Sequence, residues 1–320
     1  MSITIILPVY GNSPWLKEAF QSVVAQQSGN WKLLIADDGS DQLAHDWLEA
    51  KIDILQDQRI KWVRRPRNLG LFANLNQAIR ESDTEWIVIL CSDDKLQVHA
   101  ITYLEQLNQD WPKAGLILSS FESINSDGSQ RPADSGRHHD QLRTDTGLVE
   151  PQQMIPELLR LGSLNGNLTG MAFSKEQWRK VGPFREDWRH AADWEWLIRA
   201  SETDPLLLNR SPIASVRTHG QQLSVRNRQS GHECREVAGV VKILLEHPML
   251  HDKTGKHQWA GHVMQFQLWN LLKRASHGDW HQFPESLRAI HNSAGIRQTC
   301  LCLLRWMPTR YRRLCTLNTA

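Results

Sequence analysis

The sequence predicts an α/β fold: a mainly parallel central sheet flanked by helices, with a helical C-terminal extension. Three observations lead there. Short apolar runs alternate with segments of helical period over the first 124 residues. Those runs are nearly continuous, as in strands covered on both faces. Several of them end on polar clusters, and in open parallel sheets ligands sit off the carboxyl ends of the strands.

The elements follow in order. Residues 3–9, ITIILPV, are the first strand. Residues 14–27 have Trp15, Leu16, Ala19, Phe20, Val23 and Val24 on one helical face, with Pro14 suited to the first turn. WKLLIADDGS, residues 31–40, is a strand ending in a turn, and residues 41–55 alternate like a helix. RIKWVRR (59–65) is a strand, GLFANLNQAIRES (70–82) a helix and EWIVILCSDD (85–94) a strand. Residues 97–109 are helical, and AGLILSSFESI (114–124) is another strand. Residues 125–147 are polar and rich in turn formers, an excursion over or beside the crevice. NLTGMAFSKEQWRKVGPF (167–184) gives strand, helix and turn, DWEWLIRA (193–200) an amphipathic helix, and residues 205–220 strand and bend. From about residue 232 the pattern is helical and rich in Trp and His.

Composition bounds the function. Hydrophobic residues make up 40% of the 320, enough for a sizeable core, and the net charge of +2 gives no support for bulk nucleic-acid binding. The five cysteines, Cys91, Cys234, Cys300, Cys302 and Cys315, lack the paired spacing of a zinc ribbon and are expected as reduced thiols in a cytoplasmic protein. MSITIILPVY has no basic leader, so no signal peptide is expected. No apolar stretch approaches the roughly 20 residues needed to cross a bilayer.

The chemistry is carried by carboxylates. One strand ends on Asp93-Asp94 and another on Asp37-Asp38, both directed at the same crevice. Gathered carboxylates repel one another and call for a cation or a donor-rich ligand. A hard divalent ion with oxygen ligands, shared with substrate phosphates, fits. The sequence has no G-x-x-x-x-G-K-[ST] loop and no G-x-G-x-x-G, which argues against P-loop and dinucleotide chemistry.

ITIILPVYGNSPWLKEAFQSVVAQ, WKLLIADDGSDQ, RNLGLFANLNQAI and EWIVILCSDD, in this order, resemble the inverting family-2 glycosyltransferases of GT-A (Rossmann-like) fold. GNLTGMAFSKEQWRKVGPF, AADWEWLIR and VRTHGQQLS extend the resemblance, so that residues 1–226 are expected to be a nucleotide-sugar transferase domain and 227–320 a helical extension. The resemblance implies that Pro8, Val9 and Tyr10 border the nucleoside and that Asp38 accepts from the base ring N–H, favouring a UDP-linked donor. It also implies that Asn68 and Gly70 shape a turn by the nucleotide and that Asp93 and Asp94 form the metal motif for Mn²⁺ or Mg²⁺, Asp94 being the direct ligand. His219 is placed near the metal and diphosphate, and Asp193 is the general base. One departure stands out: Cys91 occupies the position of the first Asp in the usual D-x-D.

The residues leave alternatives beside these roles. Asp193 could be an N-cap, Glu195 is the competing carboxylate, and His219 taken by itself reads as an ordinary histidine. Trp194 and Trp196 suit core packing or a sugar-stacking acceptor site, and Gly166 and Gly170 suit turns. A GT-A-like nucleotidyltransferase or a non-catalytic nucleotide-sugar-binding protein are the other readings of the whole chain. After Glu285 there is no acidic residue, while Arg288, Arg297, Arg305, Arg310, Arg312 and Arg313 lie among Leu, Trp and Cys. That segment is either a capping helix with a solvated basic face or a peripheral contact with the inner face of the membrane, which suits a lipid-linked or glycan acceptor.

Overall fold

The computed structural model describes residues 1–11, 13–40, 57–131, 141–163 and 168–317, with side chains to residue 307. The helix expected over 41–55, the middle of the polar excursion, Gly166 and the side chains of Arg310, Arg312 and Arg313 lie outside the described residues. The chain divides into two compact units: 1–151 with 164–220, and 152–163 with 221–320. The sequence pattern sets the domain limit at residue 226; the first unit ends at Gly220, and residues 152–163 group with the helical unit.

The first unit is built on a mixed sheet. Its strands are β1 (Ile3–Val9), β2 (Trp31–Asp37), β3 (Ile60–Arg64), β4 (Trp86–Ile89), β5 (Lys95–Leu96), β6 (Leu116–Asn125), β7 (Gly147–Val149), β8 (Met171–Ser174) and β9 (Leu206–Thr218). They are ordered β3-β2-β1-β4-β8-β6-β9-β5, with β7 on β9. The half containing β3, β2, β1 and β4 is parallel. β8 runs antiparallel between β4 and β6, and β6 is parallel to β9. All seven residues of β1 are buried, which explains its unbroken apolar run.

Two strands differ from the sequence expectation. The run 85–94 ends as a strand at Ile89, because Leu90 makes one more ladder bond to Ile6 and the chain then turns, with Asp94 N–H donating to the Cys91 carbonyl. The diaspartate therefore sits in a turn between β4 and β5. Residues 206–218 form one long strand, and its irregularity appears as a register shift against β6 between Ser119 and Phe121.

Helices cover the sheet. α1 (Leu16–Val24) buries Leu16, Ala19, Phe20 and Val23. Pro14 precedes its N-cap residue, Trp15, and Val24 is exposed. α2 (Leu71–Glu81) buries Phe72, Leu75, Ala78 and Ile79, and its inward Asn74 donates to the Ala36 carbonyl of β2 at 2.7 Å. α3 (Ala100–Asp110) buries Ile101, Leu104 and Leu107. α5 (Lys175–Val181) is capped by Ser174, whose side chain accepts from Gln177 N–H. α6 (Ala192–Thr203) sends Trp196 into the core between Phe173 and Phe184, with ring centroids 5.2 and 5.1 Å away.

The second unit is helical. It contains most of α4 (Pro151–Arg160), then α7 (Leu223–Gln229), α8 (His232–Glu246), α9 (Lys256–Ser276), α10 (Phe283–Ser293) and α11 (Ile296–Leu317). α9 and α11 approach closely at Gly261, where a Cβ would come within 2.8 Å of the Cys302 sulfur. Among the described residues no helix is long and apolar enough to cross a membrane.

Trp196 is fully buried and donates its indole N–H to the Gly182 carbonyl at 2.9 Å. Trp196→Ala is expected to destabilise the fold by about 3–5 kcal/mol, measured by chemical denaturation.

Candidate active site

The carboxyl ends of β2, β1 and β4 lie side by side, since β1 pairs with both of the others in parallel register. Two groups of polar residues gather there, and a third opens a helix of the same unit.

The first is built on Asp38. Its backbone N–H donates to the Val9 carbonyl at 2.8 Å, which ties the ends of β1 and β2 together. Its carboxylate accepts from the backbone N–H of Leu69 at 2.7 Å and of Gly70 at 2.9 Å. Asp38, Asn68 and Gly70 are thus brought together, around a turn held by one carboxylate. Burial pushes the Asp38 carboxyl above its ordinary range, while the two backbone donors and the Arg65 charge pull it back. Arg65 is itself buried, paired with Glu81 at 2.6 Å and bonded to Asn74 at 3.0 Å. Gly39 has φ +72, and a Cβ there would lie 2.7 Å from the Arg67 carbonyl carbon, so the loop carrying Asn68 closes against bare backbone. Pro8 and Val9 are buried, whereas Tyr10 is 60% exposed at the mouth of the crevice.

The second group is the Cys91–Asp94 turn. Donor atoms of Cys91, Asp93 and Asp94 lie within 4.8 Å of one another. The two aspartates have different surroundings. Asp94 is fully buried; its Oδ1 accepts from the backbone N–H of Arg217 at 2.8 Å and its Oδ2 from the Thr169 hydroxyl at 2.6 Å. Asp93 is more open, and its Oδ2 lies 2.9 Å from Nε2 of His219. The His219 ring rests on Trp15 at a centroid distance of 4.2 Å, and the Trp15 indole N–H donates to the Ser126 carbonyl at 2.9 Å. Trp15 therefore serves the crevice rather than the apolar face of α1. Burial, reinforced by the charges of Asp94 and Asp93, pushes the Cys91 thiol well above its ordinary range, so it stays a neutral thiol at neutral pH.

The third group opens α6. Its N-cap position is Ala191, so Asp193 lies inside the first turn, with Oδ1 accepting from Trp194 N–H at 2.9 Å. Glu195 faces elsewhere. Both of its oxygens bond Arg199 at 2.9 Å, and that guanidinium also donates to the Val181 and Pro183 carbonyls. Trp194 and Trp196 are core residues, 5% and 0% exposed. Gly170 is buried in a short 3₁₀ turn that leads into β8.

Sequence reasoning missed Thr169 and Arg217. Arg217 is a fully buried cation that donates to the carbonyls of Asp93, Asn125 and Ser126 and to Glu18, and lies 5.2 Å from the Trp15 ring. A charged residue near the end of a strand-like run carries no such signal by itself.

A mixed sheet with acidic groups at its parallel carboxyl edge and a helical C-terminal part is the architecture of GT-A glycosyltransferases. The family model for glycosyl transferase family 2 matches residues 4–171, and the chain belongs to that family. A glycosyltransferase of Rickettsia conorii, RC0461, is 23% identical over 239 residues, covering 72% of this chain and 36% of its own. The chain spans only 20% to 36% of the length of three curated relatives it matches. Two solved structures share the fold. Staphylococcus aureus TarS 1–349 with UDP-GlcNAc matches at TM-score 0.63 and 13% identity over 95% of this chain and 84% of that one. The mannosyltransferase PcManGT of Pyrobaculum calidifontis, with GDP-Man and Mn²⁺, matches at 0.59 and 15% over 90% and 85%. Membership in the family disfavours the nucleotidyltransferase reading.

Gly39→Ala puts a side chain at positive φ and against backbone. It is expected to cost at least about 1 kcal/mol of stability in urea denaturation by displacing the Asn68 turn.

Proposed function

We propose that the protein is a metal-dependent inverting glycosyltransferase that moves a sugar from a UDP-linked donor to a hydroxyl of a glycan or lipid-linked acceptor, with its transferase domain over about residues 1–226. The observation that carries this reading is the gathering of Cys91, Asp93 and Asp94 at the strand edge, with His219 against Asp93. Solved relatives of the same fold that hold UDP-GlcNAc, or GDP-Man with Mn²⁺, support it.

The donor set fits a hard divalent cation. Asp93 and Asp94 offer carboxylate oxygens and His219 offers an imidazole nitrogen. The soft sulfur of Cys91 is a poor partner for the hard Mn²⁺ or Mg²⁺. Asp94 and His219 would hold the metal, and Asp93 would orient His219 and meet the donor. A bound cation supplies positive charge to the leaving diphosphate.

The protein's own groups do the rest. Tyr10 packs on the base, Pro8 and Val9 wall it, and Asp38 accepts the ring N–H while fixing the Asn68–Gly70 turn. Asp193 takes the proton of the acceptor hydroxyl. The hydroxyl oxygen then bonds to the anomeric carbon from the face opposite the diphosphate, whose bond to that carbon breaks, and the configuration inverts. Glu195 is committed to Arg199 and does not compete for this role.

The helical unit supports a membrane contact. Residues 256–317 contain nine Lys and Arg and two acids, Asp279 and Glu285. Phe266 and Trp269 pack on Trp306 at 5.3 and 6.0 Å, and Leu301, Leu304 and Met307 are exposed beside Arg297 and Arg305. An apolar surface fringed by cations complements an anionic leaflet, at about 1 kcal/mol per basic residue. This reading places the enzyme in the cytoplasm, on the inner face of the membrane.

Three outcomes are expected. Donor hydrolysis stops in chelator and returns with Mn²⁺ or Mg²⁺; full activity in chelator, with no metal bound, contradicts the metal role. Asp193→Asn lowers turnover by ~10²–10⁴ with donor affinity within a few-fold of wild type, and Glu195→Gln remains active in the same assay. The intact protein floats with anionic liposomes at low salt and less at high salt, and deletion of residues 286–320 abolishes flotation while donor hydrolysis survives.

A further inference from the structure

Asp94 has to be held to serve as a ligand, and two residues outside its own turn hold it. Thr169 lies in the 3₁₀ turn that leads into β8, the strand beside β4. Its hydroxyl does two things at once. It accepts the Cys91 backbone N–H at 3.1 Å and donates to Asp94 Oδ2 at 2.6 Å. A hydroxyl has one proton and two lone pairs, so it can join a backbone donor to a carboxylate in this way. The other oxygen, Oδ1, is held by the backbone N–H of Arg217, whose guanidinium Nε donates to the Asp93 carbonyl at 2.9 Å. Thr169 is fully buried.

We infer that Thr169 is a positioning residue for the metal motif. Its hydroxyl fixes the rotamer of Asp94 and the shape of the Cys91–Asp94 turn. The inference rests on the proposed metal role of Asp94. Removing the hydroxyl while keeping the volume leaves a buried backbone N–H and a carboxylate oxygen each short of one partner. Outer partners of metal ligands commonly contribute 10- to 100-fold in metal affinity.

The test is calorimetric binding of UDP at a series of Mn²⁺ concentrations. Wild type is expected to bind UDP more tightly as Mn²⁺ rises. Thr169→Val is expected to need about 10–100-fold more Mn²⁺ for the same gain, with UDP binding in chelator close to wild type and a lowered melting temperature from the lost hydrogen bonds. Thr169→Ser, which keeps the hydroxyl and loses the methyl, is expected to titrate like wild type. Thr169→Ala replaces the valine variant if that does not fold. An unchanged Mn²⁺ requirement in the hydroxyl-free variant overturns the inference while leaving the metal reading intact. A serine variant as impaired as the valine one also overturns it, since packing and not the hydroxyl is then responsible. Wild-type UDP binding that ignores Mn²⁺ overturns the metal reading itself and the inference with it.

Discussion

A fully buried carboxylate, Asp94, stands at the end of the sheet with each oxygen held by a different part of the chain. A lone buried carboxylate is costly, and two good donors are what make it tolerable. The donors come from Thr169, at the entry to β8, and from Arg217, near the end of β9. The turn between β4 and β5 is therefore fixed by strands on the far side of β4. The same Arg217 ties the Asp93 carbonyl to Asn125, Ser126 and Glu18, so its buried guanidinium joins the 93–94 turn to β6 and α1. His219, two residues further on, is thereby delivered to Asp93.

The Asp38 end of the crevice uses the same principle with a different carboxylate. Asp38 holds the backbone of Leu69 and Gly70, and Gly39 lets the preceding loop close to within contact distance. Ser13 bridges toward the other end, donating its hydroxyl to the Ser92 carbonyl at 3.1 Å. Both ends are thus pre-shaped by hydrogen bonds between side chains and backbone, with the buried Arg217 guanidinium among the donors. That arrangement orients groups before a ligand arrives, as selective binding requires.

Much of this was legible in the sequence because it is local. Apolar runs that end on Asp37-Asp38 and Asp93-Asp94 mark strand ends whatever the strand order, and those parallel strand ends do lie side by side. The distinction between Asp193 and Glu195 was legible as two positions on different helix faces, and the bond from Glu195 to Arg199 gives that difference a physical form. What was not legible is long-range. Thr169 and Arg217 stand 75 and 123 residues from Asp94, and nothing in their own neighbourhoods says that β8 inserts antiparallel beside β4. Trp15 shared the apolar period of α1, so periodicity assigned it to the core, yet its ring lies against His219. Residues 152–163 looked like part of the α/β region by position but group with the helical unit.

The central claim is that the Cys91–Asp94 turn and His219 form the metal pole of a nucleotide-sugar site. Crystals soaked with Mn²⁺ and UDP test it most directly, because the anomalous signal of manganese locates the ion independently of any activity. The account predicts one strong peak within ligand distance of the Asp94 carboxylate and His219, with the UDP diphosphate beside it and the base between Tyr10 and Asp38. Bound UDP at the strand edge with no manganese at that turn, or manganese bound elsewhere, contradicts it.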